Sequence, residues 1–197
     1  MTTATATATA ELTRVVGGET VPAPGTYVLD KTHTVVAFVA RHLMVTKVRG
    51  TFGEFEGTVV VAEDPTESSV RATIRTDSVT TGESQRDAHL RSGDFFEQEK
   101  YPTMTFSSTA VRPVGDGKWR IQGDLTIKDV TKAVVLDLEF NGAASDPWGG
   151  VRLGFSAATE IDRNEFGVSW NTPLDGGGVL IGNRVKIEIE AEAILAG

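Results

Sequence analysis

Apolar and polar residues alternate with a period of two through most of the chain. In RVKIEIEAEA at 184–193 the odd-numbered positions are apolar and the even-numbered positions are charged. Such alternation is typical of an antiparallel strand with one face in the core and the other in water. It recurs in SVRATIRT, PTMTFSSTA, KWRIQGDLTIK, AVVLDLEF and VRLGFSAATEI. With further segments at about 33–41 and 49–61, the pattern predicts eight strands.

Short segments rich in glycine, proline and aspartate separate these strands. EDPTE, VGDGK, SDPWGG and LDGGG have the composition of turns. We predict a tight hairpin with positive φ around Gly117. Gly50, Gly53 and Gly57 interrupt the strand at 49–61, and such glycines often mark bends where a barrel closes.

One segment, TGESQRDAHLRSGDFFEQEKYP at 81–102, is charged and lacks alternation. We predict a short helix that is capped by Ser84 and runs to about Arg91, with a further turn starting near Asp94. A second short helical turn is predicted in RHLMVTK at 41–47.

Eight antiparallel strands with one apolar face each pack either as a sandwich or as a barrel. The glycine-bent strands and the single helical insertion favour the barrel. We therefore predict an all-β fold, an antiparallel eight-stranded β-barrel with one or two short helices capping an end. Such a barrel is just wide enough to be filled by side chains or to hold one slim ligand.

Composition and charge limit the partners. The chain has 197 residues, enough for one domain, and a net charge of −8. So acidic a chain is a poor partner for nucleic acid or for an anionic membrane surface. The absence of cysteine excludes disulfides and thiolate metal sites.

The N-terminal segment MTTATATATAELTRVVGGETVPAPG has neither the basic start nor the apolar run of a secretory signal. No stretch approaches the length of a membrane-spanning helix. We therefore expect a cytoplasmic protein without stable membrane insertion. Its predicted organisation is a flexible tail over 1–24 followed by one barrel domain over 25–197.

The segment HTVVAFVARHLMVTKVRG at 33–50 joins the most apolar stretch of the chain to a run of His, Arg and Lys. The apolar part is either a packed core strand or the wall of a cavity. The cationic part is either a solvated loop paired with carboxylates or a set of hydrogen-bond donors at a cavity mouth.

Several blocks of the sequence, in this order and spacing, resemble the YceI-like, polyisoprenoid-binding family. They are YVLDKTHTVVAFVARHLMVTKVRGTFGEFEG, TGESQRDAHLRSGDFF, YPTMTFSST, GDLTIKDVTKAVVLDLEF, DPWGGVRLGFSA and IDRNEFGVSWN. The resemblance covers about 25–193. It implies a lipocalin-like barrel, an elongated apolar cavity for a polyprenyl chain or isoprenoid quinone, and a homodimer. Many members of that family are periplasmic, so the Thr/Ala tail and the missing export signal are departures from it.

On this resemblance, we expect the inward-facing apolar residues to bind the isoprenoid chain rather than only one another. They are Val36, Phe38, Ala40, Met44, Phe52, Phe55, Met104, Phe106, Leu125, Ile127, Leu136, Leu138, Phe155 and Trp170. The head group of a quinone or a phosphate lipid needs donors at the mouth. We expect Arg41, His42, His89 and Arg91 to supply them.

Other functions have weaker support in the sequence. No nucleophile motif supports an enzyme, and His33, His42 and His89 have no metal-ligand spacing, so we expect no catalytic residue, no metal and no cofactor beyond the bound lipid. Three alternatives stay open: an enzyme acting on a lipid-like substrate in the same cavity, a filled barrel serving as a stress-related interaction module, and docking on a membrane through an apolar lid.

Overall fold

The computed structural model describes residues 12–174 and 177–196. Within them the chain forms thirteen strands and one α-helix, α1 (Ser84–Arg91). The strands are β1 (Thr13–Val16), β2 (Glu19–Pro22), β3 (Gly25–Leu29), β4 (Val35–His42), β5 (Thr46–Phe52), β6 (Phe55–Val61), β7 (Ser69–Arg75), β8 (Val79–Thr80), β9 (Thr103–Gly115), β10 (Lys118–Ile127), β11 (Val130–Ser145), β12 (Val151–Asp162) and β13 (Ile181–Leu195). Single 3-10 turns lie at Pro65–Glu67, Thr76–Ser78 and Arg163–Phe166.

Eight strands form one closed antiparallel ring. Their order is β12-β11-β10-β9-β7-β6-β3-β13, and pairing of β13 with β12 closes it. β4 continues β3 and β6 continues β5, so each of these pairs is one long, bent strand. The prediction of an all-β, eight-stranded antiparallel barrel is therefore confirmed.

At one end of the barrel, β4, β5 and β8 extend the sheet beyond the eight strands of the ring. The C-terminal end of β13 pairs with β3, whereas its N-terminal part pairs with β4, which continues the sheet into β5 and β8. Helix α1 packs beside β8. The Phe96 ring, just after α1, lies edge-on to Phe52 of β5 with centroids 5.6 Å apart. The helical segment thus covers this end, as the sequence predicts.

Glycine permits two of the sharp changes in chain direction. Asp116 and Gly117 have φ values of 54° and 73° and form the two-residue turn between β9 and β10, which confirms the hairpin predicted at Gly117. Gly53 lies at the bend between β5 and β6, as expected for a barrel strand that must change direction.

Two local predictions need correction. The N-cap of α1 is Glu83 rather than Ser84, because the Glu83 carboxylate accepts hydrogen bonds from the backbone amides of Gln85 and Arg86. The helical turn predicted at 41–47 is instead the tight turn of the β4–β5 hairpin, in which Leu43 and Met44 have φ values of 51° and 59°.

The N-terminal region differs from the predicted flexible tail. β1 and β2 form a hairpin whose turn is Gly17–Gly18, both at positive φ. Val21 of this hairpin is only 1% exposed and belongs to the main hydrophobic core. Tertiary contact with the barrel therefore orders a segment that is too short and too polar to predict from periodicity. The remainder of the predicted tail, 1–11, lies outside the described residues.

Candidate functional site

A cavity of ≈ 660 Å³ runs along the inside of the barrel. At one end, which we call the mouth, Arg41 and His42 of β4 and His89 of α1 border it. At the other end, which we call the base, it reaches Val21 and Pro22 of β2. The volume is in the range of ordinary small-molecule sites.

The wall between mouth and base is built from the inward-facing residues of the strands. The predicted apolar residues that line it are Val36, Phe38, Ala40, Phe52, Phe55, Met104, Phe106, Leu125, Ile127, Leu136, Leu138, Phe155 and Trp170. Alternate residues of a strand face the same side of a sheet, which is why the alternating pattern predicts the inward position of all of them except Trp170, which lies between β12 and β13 outside any strand. Their contact with a ligand stays a prediction.

The wall also contains residues that were not named as site candidates. β13 contributes Val185, Ile187, Ile189 and Ala191, and β10 contributes Ile121. All of them belong to the inward faces that the alternating pattern identifies. The alternating pattern therefore identifies these positions as well, but the prediction named only some of the inward-facing residues.

The structure corrects the placement of two predicted site residues. Met44 is 56% exposed at the tip of the β4–β5 turn, where its positive φ directs the chain away from the strand pattern. Arg91 donates a hydrogen bond from Nη2 to the Val79 carbonyl oxygen at 3.0 Å and does not line the cavity. We therefore assign Arg91 a structural role in holding α1 against β8.

Three of the four predicted head-group residues, Arg41, His42 and His89, lie at the mouth. Within the described residues, no hydrogen bond or ion pair engages the side chain of Arg41 or His42. His89 is held by Asp94, whose Oδ2 lies 2.7 Å from His89 Nε2. Its ring also packs edge-on against Trp170 with centroids 4.6 Å apart. Nδ1 is thus the ring nitrogen of His89 left for a ligand.

Arg163 is a buried wall residue that sequence reasoning missed. It is 5% exposed and donates hydrogen bonds to the carbonyl oxygens of Val168, Trp170, Ile181 and Gly182. Burial lowers its pKa, but a guanidinium stays protonated at neutral pH. Arg163 thereby ties the segment that carries Trp170 to the start of β13. In the sequence, only the presence of an arginine within IDRNEFGVSWN could have indicated this role.

Helix α1 is anchored at the mouth by a buried carboxylate. Asp87 is 6% exposed and accepts hydrogen bonds from the Thr80 hydroxyl and from both the amide and hydroxyl of Thr81. Burial opposes ionisation, but these hydrogen bonds outweigh it and keep the pKa of Asp87 below its usual value. Since Thr81 itself lines the cavity, Asp87 fixes the position of the mouth wall.

A separate cluster of charges lies outside the cavity. Ligand-type atoms of Asp30, His33 and Glu192 lie within 4.8 Å of one another. The Arg152 guanidinium already pairs with Asp30 Oδ2 at 2.7 Å, with Asp146 Oδ2 at 2.9 Å and with Glu192. Hydrogen bonds from His33, the Thr32 amide and Arg152 hold the pKa of Asp30 well below its usual range. The cluster is therefore a network that joins β3, β12 and β13, and its cation is Arg152.

The family model described as YceI-like domain matches residues 27–193. The chain belongs to the YceI-like family. "Protein YceI" of Escherichia coli O157:H7 is 43% identical to it over 145 residues, which cover 72% of this chain and 75% of that protein. This confirms the family resemblance found in the sequence.

Solved structures of similar fold support the barrel. BcnA of Burkholderia cenocepacia superposes with a TM-score of 0.74 at 23% identity, covering 83% of this chain and 98% of that one. A polyisoprenoid binding domain from Saccharophagus degradans, implicated in plant cell wall breakdown, superposes with a TM-score of 0.66 at 15% identity, covering 88% and 100%. At these identities the likeness shows the fold of the family. In the part of this chain that the structure describes, no helix is long and apolar enough to cross a membrane.

Proposed function

We propose that this protein binds an isoprenoid lipid, either a polyprenyl chain or an isoprenoid quinone, in the barrel cavity and stores or transfers it. The observation that carries the proposal is the apolar wall that continues from mouth to base within one barrel. Burial of each methylene contributes about 0.8 kcal/mol, so a long hydrocarbon tail binds such a channel without any polar contact. The polyisoprenoid binding domain of similar fold supports the same ligand class.

The polar mouth complements this apolar channel. Arg41 and His42 present donors beside the wall. From α1, His89 adds Nδ1 and Arg86 adds Nη1, since Nε and Nη2 of Arg86 already donate to Thr81. A quinone carbonyl or a phosphate accepts hydrogen bonds, whereas a plain hydrocarbon end does not. The head group therefore lies at the mouth and the tail extends toward the base.

The character of the wall favours binding over turnover. Arg163 is the one charged side chain of the wall between mouth and base among the described residues, and its guanidinium already donates to four carbonyl oxygens. The other polar side chains there are hydroxyls, such as those of Ser68 and Thr159, and Ser68 Oγ already accepts a hydrogen bond from the Ala62 amide at 3.1 Å. The His89–Asp94 pair at the mouth is the feature that favours the alternative, an enzyme acting on the head group of a lipid-like substrate. Chromatography of the lipid after prolonged incubation separates the two, because a carrier returns it unchanged.

The proposal is tested by placing a charge in the wall. Phe106→Asp puts a carboxylate on the inward face of β9, where the residue is 8% exposed, so we expect loss of polyprenol binding in fluorescence titrations of delipidated protein. Val135→Asp is the matched control, because Val135 is 45% exposed on β11. Circular dichroism checks folding. If Phe106→Asp unfolds, Ala157→Phe takes its place, because a phenylalanine at this position of the wall fills part of the cavity. Unchanged binding in a folded wall variant would refute the proposal.

A further inference from the structure

The β1–β2 hairpin lies across the base of the barrel. On one side Arg14 Nη2 donates a hydrogen bond to the Ala62 carbonyl oxygen at 2.7 Å, just beyond the end of β6. On the other side the Glu19 carboxylate accepts hydrogen bonds from the amides of Asp116 and Gly117, in the β9–β10 turn. The two anchors thus attach the hairpin to the end of β6 and to the β9–β10 turn, and β7 lies between β6 and β9 in the ring.

Between these anchors, the hairpin directs apolar residues into the barrel. Val21 is 1% exposed, and together with Pro22 it lines the cavity. Val15, on the same hairpin, is 71% exposed. The hairpin therefore has one face toward the cavity and one toward solvent.

The remaining part of the base is filled by the barrel itself. Tyr27 of β3, Leu153 of β12 and Ala193 of β13 are at most 1% exposed and belong to a second hydrophobic cluster. The Tyr27 hydroxyl donates a hydrogen bond to the Ala23 carbonyl oxygen at 2.9 Å, which links this cluster to the end of the hairpin. Val61, which belongs to this cluster, lines the cavity as Val21 and Pro22 do, so the hairpin and the Tyr27 cluster together form the floor of the cavity.

The hairpin is not part of the region that defines the family. The YceI-like domain matches 27–193, whereas β1 and β2 lie at Thr13–Val16 and Glu19–Pro22. The floor of the cavity is therefore partly built from residues outside the matched domain, and the depth of the cavity depends on them.

We propose that the β1–β2 hairpin is a stop that limits the length of the isoprenoid tail, and that Val21 is its contact residue. The proposal rests on the function proposed above, since it assigns the far end of the same channel. A tail that enters at the mouth ends against Val21 and Pro22, which offer no hydrogen-bond donor in their side chains. The hairpin therefore selects tails with an apolar end and a limited number of isoprene units, and excludes longer ones.

The test is a length series of all-trans polyprenols, measured by native mass spectrometry in competition. Wild-type protein is expected to show one preferred length. Val21→Gly removes three carbon atoms from the end of the channel, which makes room for part of one further five-carbon isoprene unit. Binding of the next longer polyprenol should therefore improve about tenfold, equivalent to burying about two further methylene groups, and the length preference should shift toward it. Val21→Trp should shift the preferred length in the opposite direction. Val15→Ala, on the exposed face of the hairpin, is the matched control.

The outcomes separate this proposal from the proposed function. A wild-type protein that binds neither a polyprenol of any length nor an isoprenoid quinone contradicts the isoprenoid function itself. A wild-type protein that binds these lipids, with a length preference identical in the Val21 variants, overturns the stop alone. Thermal unfolding monitors whether the variants fold. Should the Val21 variants unfold, Glu19→Gln weakens the hairpin anchor at the β9–β10 turn, and the same increase in preferred length is expected from it.

Discussion

Among single residues, pairs of glycine and phenylalanine shape the cavity wall. The Phe38 ring occupies the space that a Cβ at Gly50 would need, and the Phe106 ring does the same at Gly123. Each ring can therefore lie flat along the sheet instead of filling the channel. The two glycines allow bulky aromatic residues to line a cavity that remains open.

The first prediction concerns Gly123. A methyl group there meets the Phe106 ring and lies 2.7 Å from the Ser107 carbonyl oxygen, which cannot move independently of β9. We expect Gly123→Ala to lower the free energy of unfolding by about 1–3 kcal/mol, measured by urea denaturation. Gly93→Ala is the control, because a methyl group at that position meets no atom within 4 Å. Equal stability of the two variants would contradict the packing described here.

Arg41 tests the role of the mouth. It lines the cavity, whereas Lys47, its partner in the β4–β5 register, does not. We expect Arg41→Ala to weaken binding of a polyprenyl phosphate by about tenfold, the effect of losing one hydrogen bond to a charged group. Binding of the corresponding polyprenol should change much less. The control, Lys47→Ala, should leave the binding of both lipids unchanged. An equal loss of affinity for the two lipids in Arg41→Ala would contradict a role of Arg41 in binding the head group.

Asp30 makes stability depend on pH. Its folded-state pKa is depressed, chiefly by the hydrogen bond from His33, with the Thr32 amide and Arg152 contributing. A carboxylate with a depressed pKa stabilises the fold above its unfolded pKa of about 3.9 and loses that contribution as the pH falls further. We therefore expect Asp30→Asn to lower the Tm by a few degrees at neutral pH, and the difference from wild type to shrink below about pH 4.

The control for this pH dependence is Asp124→Asn. Asp124 is exposed on β10 and has no ion pair within the described residues. Differential scanning calorimetry of both variants across the acidic range provides the measurement. A Tm difference for Asp30→Asn that does not narrow on acidification would show that its effect is not electrostatic.

Among the elements, α1 depends on one buried side chain. Asp87 accepts three hydrogen bonds from Thr80 and Thr81, and removal of a buried charged acceptor leaves its donors unpaired. We expect Asp87→Ala to destabilise the helix locally by about 2–4 kcal/mol and to raise amide exchange over 84–91. Ser84→Ala should not, because Glu83 rather than Ser84 caps the helix. Similar exchange in both variants would argue against the anchor.

The elements differ in how well the sequence predicts them. β10 and β13 have regular alternation over ten or more residues, and their inward faces were predicted correctly. The β1–β2 hairpin has two strands of four residues each, and its stability comes from contact with the barrel base. The Gly17–Gly18 pair is typical of a hairpin turn and was the available sequence signal for this hairpin. The preceding Thr/Ala segment led instead to the prediction of a flexible tail.

The same distinction applies to the site. The wall follows from strand periodicity, so most of the wall residues were predictable from sequence. Met44 and Arg91 were misplaced, because the direction of a side chain at a turn or on a short helix depends on tertiary contacts. Arg163 was missed for a related reason, since only the folded chain brings four carbonyl oxygens around it.

For the whole molecule, the two ends of the barrel differ in the chemistry of their side chains. The mouth combines cationic and imidazole side chains with α1, and the base is closed by an apolar hairpin and the Tyr27 cluster. An amphiphile with a polar head and an apolar tail matches this polarity in one orientation. In the proposed function the net charge of −8 does not determine that match, because the proposed binding site lies inside the barrel rather than on its surface.

The most direct test of the isoprenoid function is the lipid content of the native protein. Protein purified without detergent is extracted with organic solvent, and the extract is analysed by mass spectrometry beside the intact native mass. We expect an isoprenoid lipid in near-stoichiometric amount, and a native mass that decreases by the mass of that lipid after extraction. A native protein that carries no lipid, and whose delipidated form takes up neither polyprenol nor isoprenoid quinone, would contradict the account.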